Sequence, residues 1–552
     1  MKNINKFAIL TAGVVLLAAS CIKETFPNSF ATKEQIGESS GALEAMVNAI
    51  PAQMVEAYVG YGSRSSNDYD FGIPSMLIMT DSNTGDIVIC NNASYDWFSS
   101  WGTNESPFGE DYRSVYIAWR TWFMFVKSAN DVISAINPET ANEEQLAFLG
   151  RALAIRAYCY LNMAQIYEYK APTDPAVRAD YTPENNITNL TVPIVTEATT
   201  QDEGKANPRA SKDDMYKFIF DDLDAAEGYL EDAKLSGRLL PTMEVVYGLK
   251  ARAYMALGSA GQAGAFANAA KYARMAIDKF GGTPLTQAQW ENPQTGFNNY
   301  SANSNSWMWY LAYSADNMGN LANYVAHMSN EEMWTNYGSG VQRGISKLLY
   351  NQIPDTDWRK HSWIDPDRTD YYAYKVSRDV FTSAGGRVVK PYANLKFRPV
   401  GGNYNDYKAG GASEVCVMRV EEMMFIEAEA LAMSGDLAGG KAALNTLMKT
   451  RNSAYSCDDI ADAEAFQKEV FLQKRIEFWG EGVVFFDFKR LGAGVTVGYT
   501  GTNVQEGYRY NVTGNAPWWN WPIPRSEING NPILEGYNNP DPTQSVKEWK
   551  EE

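Results

Sequence analysis

The sequence is poor in the residues on which many catalytic and metal sites depend. Among its 552 residues there are two histidines, His327 and His361, so a His-based zinc site or a Ser/His/Asp triad is not expected. No GxxxxGK[ST] or GxGxxG pattern occurs in a strand-to-helix context, which leaves a nucleotide cofactor without support. The run DPDRTD lacks the glycine and distal glutamate of a calcium loop. We therefore expect no cofactor, no metal and no catalysis.

Cysteine and positive charge are also scarce. The five cysteines show no CxxC spacing, and we expect no disulfide framework. The 48 Lys and Arg residues are outnumbered by 66 Asp and Glu, giving a formal net charge of −18. This balance argues against nucleic acid as a partner and against electrostatic attachment to an anionic membrane surface.

The N-terminal apolar run, from Phe7 to Ala19, is too short to span a bilayer as a stable helix. Lys2 and Lys6 precede it, and small residues precede Cys21, as in the lipobox of bacterial lipoproteins. We interpret residues 1–20 as a lipoprotein signal peptide and Cys21 as the acylated first residue of the mature chain. The polar residues 21–40 then form a lipidated tether.

A helical pattern recurs three times in the remaining sequence. A small residue, a larger residue and a second small residue follow at offsets of three and four, which places them on one helix face and lets another helix approach closely. The sets are Ala157, Tyr160, Ala164; Ala251, Tyr254, Gly258; and Ala428, Leu431, Gly435. An alanine-rich helix follows Gly258 and another follows Gly435. This unit resembles a tetratricopeptide repeat.

The fold predicted is mostly α: an interrupted tetratricopeptide-type helical scaffold with long loop-rich insertions and a few short strands. Further helices are predicted over 111–136, 213–233 and through 466–482. From about 281 to 411 the sequence changes to Asn, Gly, Ser, Trp and Tyr, with strand-like runs at 306–314 and 373–377. No linker separates independent units, so residues 41–552 are predicted to form a single domain.

Aromatic residues are abundant, and one stretch concentrates them in a loop. NNASYDWFSSWGTNESPF, residues 91–108, sets aromatic rings among Asn, Ser, Gly, Asp and Pro with no helical or strand period. Apolar rings on a surface indicate a binding role. Sugar rings stack on Trp and Tyr through C–H faces while hydroxyls bond to polar side chains. Burying roughly 40 Å² of apolar area per ring contributes about 1 kcal/mol of binding free energy. Three rings with a few hydrogen bonds then give a dissociation constant of about 0.1 mM.

The C-terminal third carries motifs that identify a family. MRVEEMMFIEAEALAMSGDLAGGKAALNTLMKTRN (418–452), KRIEFWGEGVVFFDFKRLGAG (474–494) and WNWPIPRSEINGNPILEGYNNP (519–540) occur in the order and spacing of the SusD-like (RagB/SusD) family. RAYCYLNMAQIYEY from Arg156 resembles the N-terminal helix signature of that family. The motifs themselves read as structural, with Phe478, Trp479, Phe485 and Phe486 packing and with Glu481, Asp487 and Arg490 as candidate charge partners.

This resemblance implies a lipid-anchored protein of the outer membrane that faces the cell exterior and is not an enzyme. Such proteins capture oligosaccharide or polysaccharide at the cell surface and pass it, without cleaving it, to a SusC-like TonB-dependent transporter. The sugar platform of the family is built from two regions, here the loop near Asp81 to Trp101 and the insertion after SWMWYLAYS. By region, the implied stacking residues are Trp97, Trp101, Tyr324, Trp334 and Tyr337.

Two alternatives remain open from the sequence. Some members of the family handle peptides, and no motif here decides between a peptide and a glycan. A glycan-degrading enzyme is the less favoured alternative, because it would need two carboxylates across the scissile bond and the acid-rich runs instead spread their charges over solvated helix faces.

Overall fold

The structure is a computed structural model that describes residues 37, 39–62, 67–91, 96–98, 108–294, 296–335, 337–367 and 390–551. The predicted signal peptide, Cys21 and most of the tether therefore lie outside the described residues. The same holds for Trp101 and for the strand-like run 373–377.

Long helices form most of the regular secondary structure in the described chain. They are α1 (Ser40–Gln53), α2 (Ile73–Ser82), α3 (Arg113–Ala135), α4 (Glu143–Tyr167), α5 (Lys212–Leu230), α6 (Met243–Ser259), α7 (Ala265–Phe280), α8 (Val420–Met433), α9 (Leu437–Met448), α10 (Ala463–Glu477) and α11 (Val484–Leu491). Short helices span Gln201–Gly204, Gln287–Trp290, Tyr300–Asn303, Tyr324–Met328, Tyr337–Gly340, Lys347–Tyr350, Tyr407–Gly410 and Arg525–Gly530, and 3-10 turns span Trp358–Ser362, Val400–Gly402, Pro517–Trp519 and Pro532–Leu534.

The long helices pack in chain order as a stack. Helix α3 packs on α4, α4 on α5, α6 on α7, α7 on α8, and α8 on α9 and α10. Side-chain caps fix where several of them begin: Asn142 and Gln145 form a capping box at α4, and Ser211 caps α5. The mostly helical repeat scaffold predicted from the sequence is confirmed.

Small residues in the repeat units allow close helix contacts, as predicted. A side chain at Gly258 in α6 would lie 2.8 Å from the ring of Phe266 in α7. A Cβ at Gly440 in α9 would lie 2.6 Å from the carbonyl oxygen of Ala428 in α8. The prediction for Gly435 is wrong in one respect: this residue lies beyond the end of α8, at φ +107°, where it ends the helix instead of packing against a neighbour.

Within the described ranges, three two-stranded antiparallel sheets form, and two of them connect segments that are distant in sequence. Strand β1 (Ile87–Ile89) pairs with β3 (Arg343–Ile345), β2 (Trp307–Ala312) with β4 (Glu414–Arg419), and β5 (Val495–Thr496) with β6 (Asn511–Val512). The register sets Ile87 opposite Ile345 and Ala312 opposite Glu414. Strand β2 confirms the prediction for SWMWYLAYS, and β4 leads directly into α8, so the insertion is attached to the scaffold.

Most of the aromatic excess is core. The largest fully buried side chains include Trp122, Trp290, Trp307, Trp309, Trp363, Trp479, Trp518, Trp519 and Trp521. No helix in the described ranges has the length and apolar character needed to cross a membrane.

Buried charges join the insertion to the FWGEG motif. Glu477 lies within 3.0 Å of guanidinium nitrogens of Arg359, Arg419 and Arg451. Burial alone would raise the pKa of Glu477, but these three cations hold it well below its usual range. Glu481 pairs with Lys396 and Arg419, and Asp487 with Lys474 and Arg490. The motif is structural, as the sequence indicated.

Candidate ligand-binding face

An exposed group of aromatic rings lies where three segments meet: residues 58–62, residues 67–71 with 96–98, and the first turns of α3. We call it the aromatic face and define it by Tyr61, Tyr69, Trp97, Arg113 and Tyr116. Tyr61 is 40% exposed and Trp97 is 47% exposed, which makes them two of the few large apolar side chains at the surface of the described chain. Exposed rings that gather in one place indicate a binding surface.

The first half of the aromatic face surrounds Arg113. The guanidinium carbon of Arg113 lies 4.8 Å from the centre of the Tyr61 ring, and Nη1 donates to Oδ1 of Asn67 at 3.0 Å. Tyr61 meets Tyr116 edge to face at 5.9 Å. This half therefore offers flat rings beside a charged hydrogen-bond donor.

Asp70 shapes the turn that presents Tyr61. Its carboxylate accepts hydrogen bonds from the backbone N–H groups of Gly60 and Tyr61 at 3.0 and 2.8 Å. A side chain at Gly60 would lie 2.7 Å from the Asp70 carboxylate, so this close approach requires glycine.

The second half of the aromatic face consists of Trp97 and Tyr69. Their ring centres are 5.6 Å apart and the planes are tilted by 48°. Tyr69 is buried at the side of the indole, and burial raises the pKa of its hydroxyl to about 12, against the opposing effect of nearby Arg113. Tyr69 thus links Trp97 to the Arg113 half and stays a neutral hydrogen-bonding group.

Trp97 faces outward because both of its neighbours are fixed inward. Asp96 forms an ion pair with Arg343, and neither side chain has any exposed surface. Phe98 is also fully buried, with its ring 6.0 Å from Phe71 and the Arg343 guanidinium 5.3 Å away. Phe98 therefore fastens the loop to the scaffold.

A buried histidine lies behind the loop. The His327 ring stacks on Phe71 at 5.2 Å and meets Phe98 edge to face at 5.0 Å. Its Nε2 lies 3.0 Å from the carbonyl oxygen of Asp68. Burial, and secondly the charge of Arg343, lower the pKa of His327 well below its usual range, so this ring is neutral near pH 7.

The structure separates the other residues predicted to stack on sugar. Tyr337 is buried, lies 4.3 Å from His327 and donates to Oδ2 of Asp68 at 2.9 Å. Tyr324 is buried too, and its hydroxyl donates to the carbonyl oxygen of Gly480. Both rings are enclosed by protein, which disfavours direct stacking on sugar, and Tyr337 instead packs on His327 behind the loop.

Trp334 is partly buried, and its ring packs against Gly410, where a Cβ would lie 2.9 Å from the indole. Trp101 lies outside the described residues. Trp97 is therefore the predicted stacking residue for which the structure shows a broad exposed ring, and Trp334 remains a candidate with a partly accessible one.

Sequence reasoning missed Tyr61, Tyr69, Arg113 and Tyr116. A signal was present, because YVGYGSRSSNDYDF, residues 58–71, has the same mixture of aromatic, Gly, Ser, Asn and Asp residues as the predicted loop. Arg113 and Tyr116 gave no such signal, since they belong to an amphipathic helix whose exposed residues look ordinary.

Two clefts elsewhere hold charges that are already matched. One, within the helical scaffold, contains Arg252 paired with Glu422 and Lys474 paired with Asp487. The other, beside the start of α3, contains Arg525 paired with Glu110 and Glu535. Within the described ranges no group of three or more His, Cys, Asp or Glu residues could hold a metal ion. The aromatic face combines exposed rings with a cation that has no carboxylate partner among the described residues, so it is the stronger candidate.

Comparison with known proteins agrees with the helical scaffold. Residues 286–541 match the model of the SusD family, and residues 72–255 match a model described as starch-binding associating with outer membrane. No curated protein matches the sequence.

Solved structures share the fold. The crystal structure of a SusD-like carbohydrate binding protein from Bacteroides vulgatus is 20% identical with a TM-score of 0.67, over 90% of this chain and 97% of that one. The surface glycan-binding protein A from Bacteroides thetaiotaomicron is 16% identical with a TM-score of 0.60, over 90% of this chain and 98% of that one. With two family models covering most of its length and this shared fold, the chain belongs to the SusD-like family.

Proposed function

We propose that the protein is a cell-surface glycan-binding lipoprotein that captures oligosaccharide and delivers it to a SusC-like TonB-dependent transporter without cleaving it. The observation that carries the proposal is the exposed Trp97 ring, held out by buried Asp96 and Phe98 and extended by Tyr69, Tyr61 and Arg113. Rings and polar donors side by side match the two kinds of surface that a sugar presents. The names of the similar proteins, which refer to carbohydrate and surface glycan, support the same ligand class.

The geometry favours binding of an extended ligand over enclosure of a small one. The rings lie on an open face, and their supports are buried ion pairs and aromatic packing that already exist without ligand. A preformed face costs little ordering on binding, while each ring contributes only about 1 kcal/mol. We therefore expect affinities of about 0.1 mM, suited to capture followed by release.

Titration calorimetry against a panel of soluble oligosaccharides tests the binding step. Trp97→Ala should weaken binding of the best glycan about fivefold or more, because it removes about 1 kcal/mol of stacking. Leu239→Ala is the matched control, since Leu239 is 38% exposed on the helical scaffold. Binding of peptides alone would favour the peptide-binding alternative, and appearance of new reducing ends would favour a glycan hydrolase.

The anchor and the transporter partner need separate experiments. Metabolic labelling with a palmitate analogue should mark the wild-type chain and not Cys21→Ser, and protease treatment of intact cells should degrade a protein that faces the exterior. An affinity-tagged chain should co-purify a TonB-dependent transporter from solubilised outer membranes. If the label persists in Cys21→Ser, or if no transporter co-purifies, that part of the proposal is wrong.

A further inference from the structure

The aromatic face carries two arginines although the chain as a whole is acidic. Arg113 lies over Tyr61. Arg120 follows about two turns later on α3 and donates to the hydroxyl of Tyr116 at 2.9 Å. Both arginines are exposed. With a formal net charge of −18 for the chain, positive charge beside the binding rings is a local feature and does not reflect overall composition.

Neither arginine has an anionic partner in the described part of the chain. Most other arginines there form ion pairs, but no carboxylate lies within 4.0 Å of Arg113 or Arg120. Asp70 lies close enough to feel the charge of Arg120 but forms no ion pair with it, and its carboxylate accepts from the N–H groups of Gly60 and Tyr61. Asp68 accepts from the Tyr337 hydroxyl. The two guanidinium groups can therefore turn to a ligand.

The contacts that these arginines do make keep their charge at the surface. Arg113 stacks on Tyr61 and donates one N–H to Asn67, and these two contacts fix its position. Its other N–H groups remain available to a ligand. A planar guanidinium binds a carboxylate or a sulfate through two parallel hydrogen bonds, which a neutral hydroxyl cannot match. The adjacent Trp97 supplies the exposed ring face on which the sugar itself would lie, and the buried Tyr69 ring packs beside it.

Resting on the proposed function, we infer that the preferred ligand is an acidic glycan, in which carboxylate or sulfate groups on the sugar rings pair with Arg113 and Arg120. The shared chemistry is an anionic group carried by a sugar ring. Uronic acids supply this group as a carboxylate and sulfated sugars supply it as a sulfate, and the experiment below distinguishes the two.

Matched pairs of oligosaccharides test this inference by calorimetry on the full chain. Tetragalacturonic acid is compared with its methyl ester, and a chondroitin sulfate tetrasaccharide with its desulfated form. At least one charged member should bind about tenfold more tightly than its neutral partner at 50 mM NaCl, and the gap should narrow at 500 mM NaCl because salt screens exposed charges. The pair that shows the gap identifies carboxylate or sulfate.

Arginine variants test whether this difference in affinity between the charged and the neutral oligosaccharide comes from Arg113. Arg113→Gln should weaken binding of the charged oligosaccharide about tenfold and binding of its neutral partner by a smaller factor, because glutamine keeps a hydrogen-bond donor but loses the charge. Arg113→Lys should retain part of the difference between the two. Lys234→Gln removes the same charge from an exposed loop of the scaffold and should change nothing. Thermal unfolding of each variant checks that the fold is intact.

Failure of this inference differs from failure of the proposed function. If neutral glycans bind as tightly as their charged partners, or if Arg113→Gln weakens both members equally, the preference for acidic glycans is wrong and glycan capture stands. If no glycan of either kind binds and Trp97→Ala changes nothing, the proposed function itself is wrong, and this inference with it.

Discussion

Asp96 and Arg343 form an ion pair across 247 residues of sequence, and solvent reaches neither side chain. The pair joins the loop that carries Trp97 to strand β3 of the insertion. The same guanidinium also donates to the carbonyl oxygen of His327. Two regions that are remote in sequence are thereby held in one arrangement behind the exposed indole.

Arg343→Leu should destabilise the protein by about 3–5 kcal/mol, because it leaves the Asp96 carboxylate buried without its cation. Guanidinium chloride denaturation measures the change. The double variant Asp96→Leu with Arg343→Leu should recover part of the loss, since no buried charge then remains uncompensated. A loss below 1 kcal/mol for Arg343→Leu would mean that water reaches Asp96 in solution.

His327 should make the protein less stable as the pH falls. Its folded-state pKa lies well below the ordinary value of 6.5, so in acid the unfolded chain takes up a proton before the folded chain does. The contribution of His327 to the free energy of unfolding is fully present above pH 6.5 and is lost progressively below it. Stability curves at pH 7.5, 6 and 5 should show a smaller fall for His327→Gln than for wild type.

The other histidine provides the control. His361 is half exposed beside Glu291, so His361→Gln should keep the wild-type fall between pH 7.5 and 5. Equal curves for wild type and His327→Gln would show that the ring is hydrated or protonated in the folded state.

Over the same pH range Asp81 should act in the opposite direction to His327, so each contribution is read as the difference between a variant and wild type. It is buried in α2 and accepts from the N–H of Gly482 at 3.0 Å, and burial raises its pKa from 3.8 to about 8. Between those values the folded state binds the proton more strongly, so unfolding free energy falls as pH rises. Asp81→Asn should flatten this fall between pH 5 and 8.

A second aspartate separates this effect from general titration. Asp131 is exposed and pairs with Lys127, so Asp131→Asn should leave the slope between pH 5 and 8 unchanged. A slope for Asp81→Asn that equals the wild-type slope would contradict a protonated Asp81.

Gly440→Ala should destabilise the helical scaffold by about 1–3 kcal/mol, because the new methyl group would press on the carbonyl oxygen of Ala428 and force α9 away from α8. Gly228→Ala in α5 is the matched control, since a Cβ there meets nothing within 4 Å. That change should stabilise by about 0.5–1 kcal/mol through helix propensity. Thermal unfolding that moved both variants in the same direction would contradict the close contact.

The scaffold could be predicted from sequence because its signals are local. The three repeat sets lie within single helices, and the spacing that places Ala251 and Gly258 on one face is a property of any α-helix. The family motifs likewise identified the pair of Asp487 with Arg490, which lies within one helix, whereas the partners of Glu481, Lys396 and Arg419, are remote in sequence. Gly435 was misread because a glycine at a repeat position and a glycine that ends a helix look the same in sequence.

The candidate site could be predicted only in part. Trp97 was found because an aromatic loop is conspicuous, but its supports come from pairings such as Asp96 with Arg343 and Asp68 with Tyr337, which no local pattern encodes. Tyr324 and Tyr337 were chosen by region, but both rings point into the protein. Arg113 acquires its role solely from the segment that folds over α3.

In the run Asp96, Trp97, Phe98 the outer two residues anchor the loop and the middle one faces solvent. The flanking side chains are buried and Asp96 forms the ion pair, so they anchor the loop to the scaffold, while the half-exposed indole packs only on Tyr69 among the ring contacts of the described residues. Position 97 can accordingly exchange one side chain for another at little cost to stability. Under the proposed function, the preference for one polysaccharide over another can therefore change by single substitutions at such exposed positions, while the scaffold stays the same.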